Sequence, residues 1–440
     1  MATGISKYEQ MGEDSISAPN FPIDCIQLPD KTNSVELIYS GKAKENEILS
    51  KCHALYRPIN NKGKALKEIS RIPNDSFVLS DNFAGLHSLL NSNQKVNLFY
   101  LDPPYGTGMD FHSRSLEHAY KDSMGTATYI EFMRRRLILM RECMADDGSI
   151  YIHIGHQMLA HMKVIMDEIF GMKNFRNIIS RRKCSSKNFT KKQYTNLNDY
   201  ILYYSKTNDY KWFQPGEEPD QMWINKEYPK IDDFGRKFKL VPIHAPGTRN
   251  GETGKEWKGM LPPRGKHWQY TPKRLDEFDS QGDIHWSKNG NPRRKVYLPK
   301  DKKLPLSDYW AKYRDAHHQS IKITGYPTEK NFEMLKMIVS ASSEEGDLVV
   351  DPFCGSGTTL NAARDLNRNF IGFDASFVAA KSTIQRFRHG TKKMGDYVRK
   401  NNKKVVPISE KMLKEESINF LVESSLLEMH RDAIVSIGEL

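Results

Sequence analysis

The chain reads as an α/β protein with a doubly wound, mostly parallel sheet, and three observations lead to that class. Short apolar runs alternate with stretches whose apolar residues recur at helical spacing. One run, KVNLFYLD at 95–102, is apolar at nearly every position, as strands covered on both faces are. Another, VVDPFCGSGTT at 349–359, passes from strand through a glycine turn into a helix, the kind of join beyond which such sheets bind ligands.

Taken in order, residues 1–35 are polar and proline-punctuated and are expected to form a loose N-terminal arm. DSFVLSDNFAGLHSLLN (75–91) is a short strand, an Asp-Asn stop and a helix with Phe83, Leu86, Leu89 and Leu90 on one face. The strand at 95–102 follows, then a helix at 129–148, a strand at 149–154, a helix at 158–171 and a strand at 199–206, so 36–206 forms one half of a layered domain. Between 207 and 320 the rhythm breaks. All six tryptophans lie there among prolines, glycines and basic residues, with short β-like segments at best, which marks an inserted module. The pattern resumes over 321–390 with a helix at 329–343, strands at 347–351 and 369–374, and helices at 358–367 and 376–390. Residues 391–440 read as a basic linker and amphipathic helical stretches, open to plain packing or to contact in a homodimer.

Composition narrows the class further. At 440 residues with a formal net charge of +12, the chain is suited to a polyanionic partner, because cations near phosphates gain by releasing condensed counterions. Its five cysteines are widely spaced and contain no C-x-x-C pair, which fits free thiols in a reducing compartment. No apolar run of about 18 residues and no secretion signal are present, so the expectation is a cytoplasmic protein with no membrane contact.

Two loops carry the candidate chemistry. In the first, Gly355 and Gly357 let the backbone approach a ligand closely, and Asp374 lies 19 positions after Gly355, where an acid can accept ribose hydroxyl hydrogens. A third fingerprint glycine and a Gly-Lys-Ser/Thr run are both absent, which disfavours dinucleotide and triphosphate ligands and leaves a nucleoside. In the second loop, Asp102-Pro103-Pro104-Tyr105 closes an apolar strand. Pro104 forces Pro103 out of the helical region, so the Pro103 carbonyl points in a fixed direction beside the Asp102 carboxylate. That pair suits an exocyclic amino group, whose lone pair is delocalised into its ring and must be drawn out by acceptors around its hydrogens. Tyr105 offers a face on which a base can stack.

With its D-P-P-Y ahead of D-P-F-x-G-S-G-T-T, the chain resembles the permuted β class of amino-methylating DNA methyltransferases over about residues 35–390, in particular modification enzymes carrying D-P-P-Y-x-T-G. The resemblance implies a circularly permuted, Rossmann-like domain with a target-recognition insertion. It also implies S-adenosylmethionine as cofactor and transfer of its methyl to the N6 of an adenine flipped out of double-stranded DNA. It assigns Asp102, Pro103, Pro104 and Tyr105 to the target base, and Asp351, Phe353, Gly355, Gly357, Thr358 and Asp374 to the cofactor. By the same likeness, Asp81 in SDNFAGLHSLL sits near the cofactor's adenine, and Thr328 and Lys330 in TGYPTEKNFEML sit near its methionine part. Here the family usually has Lys-Pro and this chain has Lys330-Asn331. Segments 257–268 and 290–298 resemble the part that reads DNA. Asp rather than Ser before Pro-Pro-Tyr favours adenine over cytosine.

Other charged and aromatic residues are weighed beside these. Arg181, Arg182, Lys187, Lys191 and Lys192 are expected on phosphates, and Arg264, Lys266, Arg293 and Arg294 on DNA backbone or base edges. Most of the tryptophans are expected to form the insertion's own core. His153, His156 and His161 lack an acid or cysteine to complete a ligand set, so no metal is expected. The long polar loop at 106–127 is expected to act as a lid over the base. Competing readings are an N4-cytosine enzyme, an RNA adenosine methyltransferase and an inactive nucleic-acid-binding subunit. A restriction endonuclease is a candidate partner.

Overall fold

The computed structural model describes residues 35–50, 52–104, 110–112, 118–121, 125–184, 192, 194–315, 322–323, 329–393 and 418–440. Lys187, Lys191, Tyr105, Thr328, the N-terminal arm and most of the 106–127 loop lie outside them.

The principal elements in chain order are β1 (Tyr56–Ile59), β2 (Ser76–Leu79), α1 (Asn82–Asn91), β3 (Val96–Leu101), α2 (Thr126–Cys143), β4 (Met144–Ile154), α3 (Leu159–Phe170), β5 (Phe175–Arg182) and β6 (Asn198–Ser205). Further elements of the same sheet and its helices are β7 (Tyr309–Trp310), α4 (Phe332–Ser342), β8 (Leu348–Asp351), α5 (Thr358–Asp365), β9 (Asn369–Asp374), α6 (Phe377–His389) and β10 (Asn419–Glu423). These strands form one sheet in the order β1-β10-β2-β9-β8-β3-β4-β6-β5-β7. From β10 through β4 every pairing is parallel; β6 and β5 then run antiparallel to their inner neighbours.

Alternation along each strand supplies two cores. Phe99 and Leu101 of β3 join Leu86 and Leu89 of α1, Met133 and Leu137 of α2, and Met162 and Ile165 of α3 on one face. Leu98 and Tyr100 meet Leu335 and Ile338 of α4, Leu360 of α5, and Ile384 of α6 on the other. The sheet is therefore doubly wound. Burial of these side chains, worth roughly 1.5–3 kcal/mol each, supplies the driving force.

Three departures from the sequence reading have local causes. The helix expected to run to 148 ends at Cys143, and Met144 turns extended (φ −67°, ψ 139°) to pair with Val96. Helical spacing misleads there because Cys143 and Met144 are both buried core residues. Gly148 is required in that segment because a Cβ would stand 3.0 Å from the Val96 carbonyl oxygen. Strand β5 went unread because it is covered on one side only, leaving Ile178 exposed and its apolar signal weak. The tail is not purely helical: Phe420, Leu421 and Val422 form β10 and are buried on both faces between β1 and β2.

Within 207–320, strands Lys230–Ile231, Lys237–Pro242, Pro292–Tyr297 and Ile284–Trp286 form a separate antiparallel sheet. It packs beside the helix Pro272–Ser280, and Trp257 and Trp268 join Ile243, Leu275 and Phe278 in a small core. Trp310 instead pairs in β7 of the main sheet, and Trp212 stacks on Tyr203 of β6. No helix among the described residues is long and apolar enough to cross a membrane.

Candidate active site

The order β2-β9-β8-β3 places Asp81, Asp374, Asp351 and Asp102 at or just past the carboxyl ends of four neighbouring parallel strands. Strands β8 and β3 are directly hydrogen-bonded, with Val349 opposite Leu98 and Val350 opposite Phe99. From β3 the chain crosses through α2 to β4, and from β8 it crosses through α5 to β9 in the opposite direction, so the two loops flank a switch point. Between them opens a cavity of about 320 Å³ lined by both, including Asp102, Pro104, Phe353 and Gly355.

On the glycine side, Gly355 and Gly357 take left-handed φ of 53° and 72°, conformations that glycine adopts without steric cost. The Gly355 amide donates to Asp374 Oδ2 (2.9 Å) and the Ser376 amide to Oδ1 (2.8 Å). Burial outweighs those two bonds and pushes the Asp374 carboxyl up to about 6. Asp351 accepts from the Phe353 amide at 3.0 Å and is pushed up to about 7, again chiefly by burial. Thr358 opens α5 and is buried, its hydroxyl 3.0 Å from that of Ser356.

Asp81 caps α1 through the Phe83 amide (2.7 Å) and receives both carboxylate oxygens' bonds from Arg136 (3.1 Å each). Arg136 also donates to Asn82, lies 3.5 Å from the centre of the Phe132 ring, and is drawn down to about 10 by burial. Asn82 in turn donates to the Pro352 carbonyl (2.7 Å), tying α1 to the glycine loop.

On the proline side, Pro103 is buried and Asp102 faces the cavity. Asp102 Oδ2 is 2.8 Å from Lys330 Nζ. Lys330, expected near a cofactor, thus bridges to the opposite loop. Its neighbour Glu329 pairs with Arg386 of α6, and Arg386 also donates to the Ser356 carbonyl (2.7 Å) and Thr358 hydroxyl (3.1 Å). Arg386, Glu329, Asn82, Arg136 and Phe132 were missed by sequence reasoning. They lie on three helices and a loop, and only α2's run of arginines hinted at a role.

The basic candidates divide. Arg181 is not a phosphate contact: its side chain is fully buried, donating to Asp199 (2.8 Å) and the Tyr313 carbonyl (2.7 Å) and pairing with Asp315. Arg294 is half-buried, with its guanidinium 4.2 Å from the Phe278 ring centre and donating to the Tyr270 hydroxyl (2.6 Å). Arg264, Lys266, Arg293 and Lys192 are exposed, and Arg182 is half-buried. Lys266 and Arg293 come together around His244, and both charges push its imidazole pKa down beyond the larger effect of burial. His153 is buried between Tyr100 (2.9 Å) and Asp199 (2.9 Å).

The cavity's chemistry fits S-adenosylmethionine: Phe353, Phe132 and Pro352 offer apolar faces, Asp374 and Asp81 offer acceptors for hydroxyl and amino groups, and Lys330 offers a cation for a carboxylate. Comparison with known proteins agrees. The N6_N4_Mtase family, described as DNA methylase, matches residues 96–385. The Type II methyltransferase M.EcaI of Enterobacter cloacae is 58% identical over 398 residues, covering 90% of this chain and 87% of that protein. M.KpnI, a Type II methyltransferase of Klebsiella pneumoniae, is 26% identical over 75% of this chain and 88% of its own length. The StyLTI Mod subunit, a Type III restriction-modification enzyme of Salmonella typhimurium, is 28% identical over 66% of this chain, which spans 50% of it. The chain that brings these two loops to one cleft belongs to the N6/N4 DNA methylases, whose methyl donor is S-adenosylmethionine.

Proposed function

We propose that the chain methylates the N6 amino group of an adenine at a specific site in double-stranded DNA, as the modification member of a restriction-modification pair. The observation that carries this reading is the meeting of Asp102 and the Gly355 turn across one cavity from adjacent strands. When bound, S-adenosylmethionine supplies an electrophilic methyl group. The Asp102 carboxylate and the Pro103 carbonyl accept the two amino hydrogens, returning the nitrogen's delocalised lone pair to the direction of attack. No covalent nucleophile is needed, and Cys354 is a buried packing residue of the glycine turn.

Tyr105 would stack on the extruded base, and Thr328 and Lys330 would serve the cofactor's methionine part. Extruding the base costs a few kcal/mol, which stacking and these hydrogen bonds offset. Arg264, Lys266 and Arg293 of the insertion, with Arg182 and Lys192, would meet phosphates and base edges. Adenine is favoured over cytosine by Asp at the head of D-P-P-Y. The descriptions of M.EcaI as a methyltransferase and of the StyLTI Mod subunit as part of a restriction-modification enzyme support the modification role, and the latter a restriction partner.

Nucleoside mass spectrometry and modified-base sequencing of DNA from cells expressing the protein test this. N6-methyladenine at one recurring motif, absent with Asp102→Ala, is the expected result. N4-methylcytosine instead would replace the adenine assignment, and methylation retained by Asp102→Ala would remove Asp102 from the reaction.

A further inference from the structure

Helix α2 carries three consecutive arginines, and folding gives them different partners. Arg134 pairs with Glu168 (3.2 Å) and Arg135 with Glu131 (2.7 Å), while Arg136, 6% exposed, reaches the cavity wall. Each nitrogen of its guanidinium ends on a residue that lines the cavity: Nε donates to Asn82 Oδ1, Nη1 to the Phe132 carbonyl (3.0 Å) and Nη2 to both Asp81 oxygens (3.1 Å each). The guanidinium also lies 3.5 Å from the centre of the Phe132 ring. The Asp81 side chain is 58% exposed, so without this hold its carboxylate would sample several rotamers. Oδ1 already receives the Phe83 amide (2.7 Å) as well as Arg136, whereas Oδ2 receives Arg136 alone among the described residues and keeps acceptor capacity.

We propose that Arg136 is a positioning residue for the cofactor's adenine, aiming Asp81 Oδ2 at the 6-amino group and seating the Phe132 ring beside the base. This rests on the reading of the cavity as the S-adenosylmethionine site with Asp81 at its adenine end. An ionised carboxylate has only lone pairs to offer, so it rewards a ring edge that presents a donor and disfavours one that presents none. The 6-amino group supplies that donor. One buried cation holds the acceptor and the apolar wall in place before the ligand arrives, so less conformational freedom is lost on binding. Arg136 acts on the cofactor through Asp81 and Phe132, and thereby sets the preference of the site for a 6-aminopurine.

The test reads a ratio of affinities, which a general loosening of the site would not move. Binding of S-adenosylhomocysteine and of its analogue with hydrogen in place of the 6-amino group is measured by calorimetry on the full chain and on Asp81→Ala, Arg136→Gln, Arg136→Lys and the Asp81→Ala/Arg136→Gln double variant. The parent is expected to prefer the amino compound by about tenfold or more, the scale of a hydrogen bond to a charged group. Asp81→Ala should bring the two compounds close to parity. Arg136→Gln should lower the preference about fivefold with Asp81 intact, within the usual range of coupling between groups, and the double variant should match Asp81→Ala. Arg136→Lys keeps the charge without the planar fork and should fall between Arg136→Gln and the parent; it decides the matter should Arg136→Gln fail to fold. A parent without preference, a preference in Arg136→Lys equal to the parent's, or affinity lost in equal proportion for both compounds in either Arg136 variant would overturn the proposal. If the parent bound neither compound, the cofactor reading of the cavity would itself fall.

Discussion

Asp199 and Asp102 each hold a cation at 2.8 Å and share a charged neighbourhood, with Lys330 acting also on Asp199, yet one pair is sealed and the other lines a cavity. The Asp199–Arg181 pair is 3% and 0% exposed and is closed in by His153, the Tyr313 carbonyl and Asp315. The Asp102–Lys330 pair, 19% and 10% exposed, lines the cavity instead. Distance alone does not separate a structural ion pair from a working one; what separates them is whether anything can reach the pair and exchange with it. In the buried case desolvation is a permanent cost, offset by the bonds that Arg181 and His153 both make to Asp199 Oδ2.

Breaking each pair in turn sharpens the contrast. Arg181→Ala leaves a buried carboxylate without its guanidinium and is expected to cost about 3–5 kcal/mol of stability, measured by urea unfolding. The folded fraction should bind DNA with an unchanged salt slope, and a reduced slope would return Arg181 to the DNA interface. Asp102→Ala should instead leave the unfolding curve close to the parent's while lowering the methylation rate by about 10²–10³-fold, measured in single-turnover assays with labelled cofactor.

A pH series distinguishes the two kinds of site again. Asp374 accepts from Gly355 and Ser376, and burial holds its carboxyl at about 6, so lowering the pH through 6 protonates it and removes an acceptor. S-adenosylhomocysteine affinity should therefore fall as pH drops below that point, approaching about tenfold per unit. Asp374→Asn should flatten the profile, and an unchanged slope in that variant would exclude Asp374 as its source. The smallest effect is expected on the insertion. Lys266→Ala or Arg293→Ala should lower the log–log salt dependence of DNA affinity by about 1 with little change in stability, as filter binding at graded salt would show.

Much of this was legible in residue order. Apolar runs at 95–102 and 347–351, helical spacing at 158–171 and the glycine turn at 355–357 all became the expected elements, because burial on two faces or one leaves a periodic trace. Less legible were β5, with one face open, and β10, whose short run NFLVE gains its burial only from strands far away in sequence. Arg181 and Lys192 look alike in the basic stretch, and only the acids that folding brings to Arg181 tell them apart.

The amino-acid sequence by itself determined the strand-and-helix layering, the two chemically committed loops and the bias toward a polyanionic partner, since propensity, glycine and proline stereochemistry and charge act locally or additively. Tertiary structure alone decided that β8 lies beside β3, that Lys330 pairs with Asp102, and which arginines are sealed inside. Those outcomes depend on contacts between residues separated by up to hundreds of positions. Their energies arise from burial and charge pairing, which no local pattern carries.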